Sequence, residues 1–376
     1  MKKLFALLLV LVLALSCTAM AAEKNKIVLS TMITGSAAEY GKMIKNGASL
    51  ALKKFNEKNG TDYVMDIFDD KNDATEAVNI AALVLDDPTV MAVVPSYSGT
   101  TLATAQMYQD EGLLCYSAAG SNADIPGVGD LVFSIAISQK YEGTVFADAL
   151  VEAMGTTGKL AVLYQATDQA YQNANLVAEQ FVALGGEKVY MEMFEAGTTD
   201  YSPMLSSIKE SGATVLFVGG EYADAANCFL QAQALEMDIQ LVASGNSACA
   251  AFLDVIGSQA NGCYVLSTIP SFSEATLASM KNASEDMLQF AADFQAEYGE
   301  PADGYAAQAY DAITIILTAA EETGSRESAD LAAYIASIKG YNGVSGFDMQ
   351  YNDMKELTKS AIVFEVQDGE FLQVYP

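Results

Sequence analysis

Residues 90–117 read VMAVVPSYSGTTLATAQMYQDEGLLCYS. The run at 90–94 is apolar without alternation and holds three valines, as expected of a strand covered on both faces. Ser98-Gly99 then breaks the run, and helical spacing follows from about residue 100 to 109. A second apolar run at 113–116 completes a strand–helix–strand unit. Two strands joined by one crossover helix imply parallel pairing and a right-handed connection.

The same alternation extends outward. Upstream lie an apolar run at 27–33, a helical face of Tyr40, Ile44, Ala48, Leu52 and Phe55 closed by Asn59-Gly60, a strand at 63–68, and a helical pattern at 74–85. Downstream, a loop at 123–130 leads to a strand at 131–135, and then the pattern restarts. The second set has strands near 160–163, 189–194, 215–218, 239–242 and 263–266. One intervening helix carries Tyr171, Ala174, Val177, Ala178 and Phe181 on a face. Helices at 305–318 and 329–338 and a strand pair at 361–366 and 371–374 end the chain. No Pro/Gly-rich linker divides the halves. The reading is an α/β protein of two Rossmann-like lobes with parallel-type sheets, and ligands of such sheets bind beyond the carboxyl ends of the strands.

Composition narrows the chemistry. The 376 residues carry a formal charge of −29, which repels nucleic acid and anionic lipid. There is no His and no Trp, and Arg326 is the single Arg. The commonest general base and the commonest metal ligand are therefore missing, and bidentate anion clamping is nearly excluded. No catalytic residue, metal site or cofactor is expected. Gly155-Thr156-Thr157-Gly158-Lys159 is too short for a phosphate loop, and Leu160 follows it. Asp69, Asp70 and Asp73 lack the glycine and alternation of a calcium loop and read as a solvated strand end. Cys115, Cys228, Cys249 and Cys263 have no metal or redox spacing. Buried thiols are expected, with Cys249–Cys263 the pair to test for a disulfide.

Residues 1–21 read as a signal peptide: Lys2 and Lys3, an apolar run from 4 to 15, and Ala19-Met20-Ala21 as the cleavage pattern. The run is too short to span a bilayer. Cys17 offers lipid attachment as an alternative to soluble export. Either way the protein is expected to be periplasmic or extracytoplasmic.

Several patches, in order, resemble the family that includes the leucine/isoleucine/valine-binding protein of ABC importers. They are Thr34-Gly35-Ser36, Tyr40-Gly41, Asn46-Gly47, Ser96-Tyr97-Ser98-Gly99-Thr100, Ser117-Ala118-Ala119-Gly120-Ser121, Gly219-Gly220-Glu221-Tyr222, Tyr305-Ala306-Ala307-Gln308-Ala309-Tyr310-Asp311 and Gly343-Val344-Ser345-Gly346. The resemblance covers essentially the whole chain after residue 21. It implies a type I periplasmic-binding-protein fold with a three-strand hinge. Lobe one would be 24–139 plus 271–343 and lobe two 140–270 plus 344–376, with crossings near Gln139, Pro270 and Gly343. It also implies a non-enzymatic receptor that binds a small polar ligand, most simply an amino acid, in the cleft and delivers it to a membrane permease. A sensory ligand-binding module and a binder of amides, urea or short carboxylates stay open as alternatives.

The resemblance also points to site residues. Ser98 reads as a helix N-cap and Gly99 as a point of close backbone approach, a helix-start site suited to a carboxylate; plain capping is the alternative. Ala119 and Ser121 match the turn that meets an amino-acid head group in similar proteins. Tyr40, Tyr97 and Tyr305 map to the lobe-one rim, and Tyr171 to lobe two. The acidic partner of a ligand ammonium is missing at the matching position, Gly245. Glu221 is the expected replacement. Gln172, where relatives often have Gly, either fills the cleft or alters a turn.

Overall fold

The structure, a computed structural model, describes residues 24–376 apart from Ser36 and Asn282; the expected signal peptide and Cys17 lie outside the described residues. Strands β1 (Lys26–Thr31), β2 (Val64–Asp69), β3 (Val90–Pro95), β4 (Leu114–Ser117) and β5 (Val132–Ser134) form a parallel sheet of order β2-β1-β3-β4-β5. All six residues of β3 are buried, as its unbroken apolar run requires. Helices α1 (Ala38–Asn59), α2 (Ala74–Leu85) and α3 (Ser98–Asp110) connect the first four strands. Asp73 starts α2 by accepting the amides of Thr75 and Glu76. Gly60 ends α1 in the left-handed conformation at φ 68°.

The second sheet has order β14-β13-β10-β9-β8-β6-β7. Its parallel part is β6 (Lys159–Gln165), β7 (Glu187–Phe194), β8 (Val215–Gly219), β9 (Gln240–Ala243) and β10 (Tyr264–Ser267). The helices between these are α4 (Gln139–Met154, before β6), α5 (Asp168–Ala183), α6 (Ser202–Ser211), α7 (Tyr222–Ala234) and the short α8 (Ala250–Ile256). The hairpin β13 (Ile362–Gln367) and β14 (Glu370–Tyr375) joins β10 antiparallel. In both sheets the strand order reverses once, between β1 and β3 and between β6 and β8. Such a reversal opens a crevice at the carboxyl ends of the strands.

After β10, the chain forms α9 (Glu274–Ser279), α10 (Glu285–Tyr298), α11 (Gly304–Thr323) and α12 (Ser328–Ala336), then the small ladder β11 (Gln350–Tyr351) with β12 (Leu357–Thr358). Two of the expected lobe boundaries shift. Residues 271–279 were expected in lobe one, yet Thr276 Oγ1 donates to Phe371 O at 2.7 Å and Ser279 Oγ accepts from Gln373 N, so α9 is fastened to β14 of the second sheet. The third crossing was expected near Gly343. Met349, Tyr351 and Leu357 instead belong to the core of the first sheet, and Tyr351 OH bonds Tyr116 OH and Ser134 O, each at 2.8 Å. The chain passes to the second sheet only between β12 and β13. A phenol that finds two buried partners is held in the core, which keeps residues 349–357 with the first sheet, beyond the crossing that the resemblance implied.

The third crossing is polar and buried. Asp311 of α11 accepts the amides of Val344 and Ser345 at 3.1 and 2.7 Å, and the Lys359 ammonium donates to Ser345 O at 3.0 Å. Lys359 is 3 % exposed. Burial pulls its ammonium down to about 8 against the pull of Asp311 and Glu142, and burial likewise pushes the Asp311 carboxyl up. Because the folded value lies below the ordinary one, the unfolded chain holds more protons between about pH 8 and 10.5, so Lys359 contributes more favourably as pH rises through that window. Urea denaturation of the wild type and Lys359→Met at pH 7.5 and 10 is expected to show the wild type gaining about 2 kcal/mol relative to the variant. A pH-independent difference would contradict a buried, charged Lys359.

Candidate functional site

One cavity of about 400 Å3 lies between the lobes, at the carboxyl ends of strands from both sheets and at the reversal between β6 and β8. From the first lobe come Ala119 and Ser121, in the turn after β4, and Tyr305 and Gln308 near the start of α11. Gln165 and Thr167 follow β6, and Gly219, Gly220 and Glu221 follow β8. The first two crossings, with Ala136, Ile137, Thr268 and Ile269, also line the cavity.

Local packing explains each position. Asp303 caps α11 through the Ala306 amide at 2.8 Å and so fixes the helix start that carries Tyr305. The Tyr305 ring lies 5.2 Å from that of Tyr40 and 5.8 Å from that of Tyr97, in edge and tilted contacts. Tyr40, 50 % exposed, and the half-buried Tyr97 do not line the cavity; they brace the tyrosine that does. Gly220 sits at φ 152°, and a Cβ there would approach Gln165 Cβ at 2.9 Å. A glycine is therefore needed to deliver Glu221 to the rim. Glu221 occupies the N-cap position of α7, makes no capping bond and is exposed on the cavity side.

Other expectations are revised. Ser98 is the first helical residue of α3 and Tyr97 its cap, with no side-chain capping bond. Ser98 Oγ instead accepts from Asn122 N at 3.2 Å and ties the helix start to the 119–122 turn. Neither Ser98 nor the exposed Gly99 lines the cavity. Tyr171, 48 % exposed, packs on Tyr164 at 5.4 Å, outside the wall. Gln172 lies within α5 and is exposed, whereas Gln169, Ala170 and Asn173 of that helix face the cavity. Gln169 and Asn173, four residues apart, share a helix face, and Gln172 lies one residue off it. Gly245 lines the cavity, as the matching site should, without a charge. Cys249 and Cys263 hold free thiols, as do Cys115 and Cys228. Burial pushes the Cys228 and Cys263 thiols up to about 12, which makes them unreactive.

Asp69 and Asp70 are structural rather than solvated. Asp69 accepts the amides of Ile33 and Thr34, and buried Asp70 accepts Ser30 Oγ at 2.8 Å. Among the described residues no cluster of three His, Cys, Asp or Glu is arranged to hold a metal.

Sequence reasoning missed Glu142 and Asn173. Glu142, in the first turn of α4, lines the cavity, and Asn173 Nδ2 donates to its Oε2 at 2.8 Å. Burial pushes the Glu142 carboxyl up, opposed by the Asn173 bond and the charge of Lys359. A Cβ on Gly143 would lie 2.4 Å from Asn173 O. The missing side chain lets α4 and α5 touch and sets the two polar groups side by side. An acidic residue in a first helical turn is ordinary dipole compensation, which hid Glu142 in the sequence.

Two α/β lobes, joined by three crossings around a polar cleft at their strand ends, define a two-lobe solute-binding protein. The family model described as periplasmic binding protein matches residues 24–370, and the chain belongs to that family. It is 26 % identical over 345 residues to the leucine-, isoleucine-, valine-, threonine-, and alanine-binding protein of Pseudomonas aeruginosa, covering 89 % of this chain and 88 % of the relative. A solved structure from Rhodospirillum rubrum aligns with a TM-score of 0.83 at 23 % identity, over 93 % of this chain and 99 % of its own. The ABC transporter substrate-binding protein of Desulfitobacterium hafniense, in complex with Leu, aligns with a TM-score of 0.73 at 20 % identity, over 93 % of this chain and all of its own. Among the described residues no helix is long and apolar enough to cross a membrane.

Proposed function

We propose that the chain is the extracytoplasmic receptor of an ABC importer and that its cleft holds an α-amino acid for delivery to a membrane permease. The observation that carries this reading is the pairing of chemistries across one cavity. Ala119 and Ser121 stand at the strand ends of the first lobe, and Glu221 stands uncapped on the second. The ligand carboxylate is taken by the Ser121 hydroxyl and the turn that Ser98 steadies, with no Arg required. The ligand ammonium meets Glu221, in place of an acid at Gly245. Tyr305, braced by Tyr40 and Tyr97, walls the cleft. Lobe one is then 24–139 plus about 281–358, and lobe two the remainder. Rotation about the crossings closes the lobes on the ligand, a hinge motion of the kind periplasmic binding proteins use. The leucine- and isoleucine-binding relatives support the amino-acid class.

Thermal-shift screening of the mature protein against amino acids, amides, urea and short carboxylates tests the class, because a ligand bound only by the native state raises Tm. Hits are expected among α-amino acids. Glu221→Gln is expected to weaken the best of them about 10- to 100-fold, as loss of a charge-assisted bond does. Hits confined to ligands without an ammonium would overturn the head-group model.

A further inference from the structure

The cleft is more acidic and more polar than an aliphatic side chain requires. Glu142 and Glu221 both line it, and the lining includes neither Lys nor Arg. A zwitterionic amino acid brings one ammonium, and Glu221 accounts for it in the reading above, on which this inference rests. Glu142 then faces the cleft with no cation beside it in the lining. Lys359 sits behind the wall, bonded to Ser345 O, and its single charge is shared between Asp311 and Glu142, so the two carboxylates together exceed it.

A second observation comes from Asn173. Its Nδ2 is committed to Glu142 Oε2, while its Oδ1 is buried and has no hydrogen-bond partner. A buried acceptor left unpaired is costly unless something supplies a donor. The orphan Asn173 Oδ1 and the Glu142 carboxylate lie together on the same wall, and both accept hydrogen bonds. Gln139, Gln165 and Gln169 line the same cavity and add further polar surface. A branched aliphatic group placed there would strip water from these groups and return no bond, whereas an ammonium or guanidinium would satisfy both acceptors and the charge. The net charge of −29 also draws cations toward the molecule.

We propose that the ligand is an α-amino acid whose side chain carries a second, cationic nitrogen, held by Glu142 and Asn173 while Glu221 holds the α-ammonium. Glu142 and Asn173 are thus specificity residues. Isothermal titration of the mature protein with L-lysine, L-ornithine, L-arginine and L-leucine tests this, with Glu142→Gln alongside. The expected result is at least one cationic amino acid bound 100-fold or more tighter than leucine. Glu142→Gln should weaken that ligand at least 10-fold and narrow its margin over leucine by at least as much. Leucine binding more tightly than all three cationic amino acids would overturn the proposal and leave the amino-acid reading intact. So would a Glu142→Gln affinity within twofold of wild type. Failure of all four to bind, with no α-amino acid raising Tm in the thermal-shift screen, would retire the amino-acid reading itself. The wild-type ranking decides the matter even if the variant does not fold.

Discussion

Asp311→Ala is expected to lower stability by about 3–5 kcal/mol, the range for leaving a buried charge without its compensating opposite charge. The carboxylate is 1 % exposed and accepts two backbone amides, Val344 N and Ser345 N. Without it, both amides lose their acceptor at a cost of about 1–3 kcal/mol each if water does not enter. The Lys359 ammonium also loses one of the two buried carboxylates whose charge acts on it. Gly343 is part of the same arrangement, since a Cβ there would sit 2.3 Å from Asp311 Oδ2. Urea denaturation measures the loss. The double variant Asp311→Ala/Lys359→Met should lose less than the sum of the single losses, because removing both charges leaves none buried alone. Additive losses would mean that Asp311 and Lys359 do not act as a pair.

Gly47→Ala is the second large effect, and two forces oppose each other in it. Alanine in mid-helix is favoured over glycine by about 1 kcal/mol. Against that, a Cβ at Gly47 would stand 2.0 Å from Ala306 O and 2.7 Å from its carbonyl carbon, where α1 crosses α11. These are backbone atoms, so no rotamer can relieve the clash and the helices must separate. Overpacking of this kind costs roughly 1–3 kcal/mol, occasionally more, and outweighs the propensity gain. The displacement also reaches the cleft, because α11 carries Tyr305 and Gln308 into its wall. The expected result is a loss of about 2 kcal/mol together with at least 10-fold weaker ligand binding. A more stable Gly47→Ala variant would show that the helices do not touch there.

The alternation of strands and helices was legible because each buried strand is an unbroken apolar run and each amphipathic helix keeps its period. Residues 90–95 and 215–219 are wholly buried strands, and the sequence places strands at 90–94 and 215–218. The third crossing was not legible. Residues 344–358 have no strong apolar run, and Tyr351 is drawn into the first core by partners more than 200 positions away. In the cleft, Ala119, Ser121, Glu221 and Tyr305 stand in the wall. They lie at strand ends or helix starts, where sequence signals are sharp. Glu142 and Asn173 were missed because their meeting depends on the contact of α4 with α5 at Gly143, which no local pattern announces. Ser98 carried a capping signal, yet its hydroxyl went to Asn122 N, a choice between two nearby amides that local sequence does not fix.

The most direct measurement is a crystal structure of the protein with the amino acid that binds it most tightly. Density is predicted between the lobes, with the ligand carboxylate at Ser121, its α-ammonium at Glu221 and a side-chain cation at Glu142 and Asn173. A ligand bound outside the cleft would contradict the receptor model, and one bound within it but reversed, with its carboxylate facing Glu221, would contradict the head-group assignment.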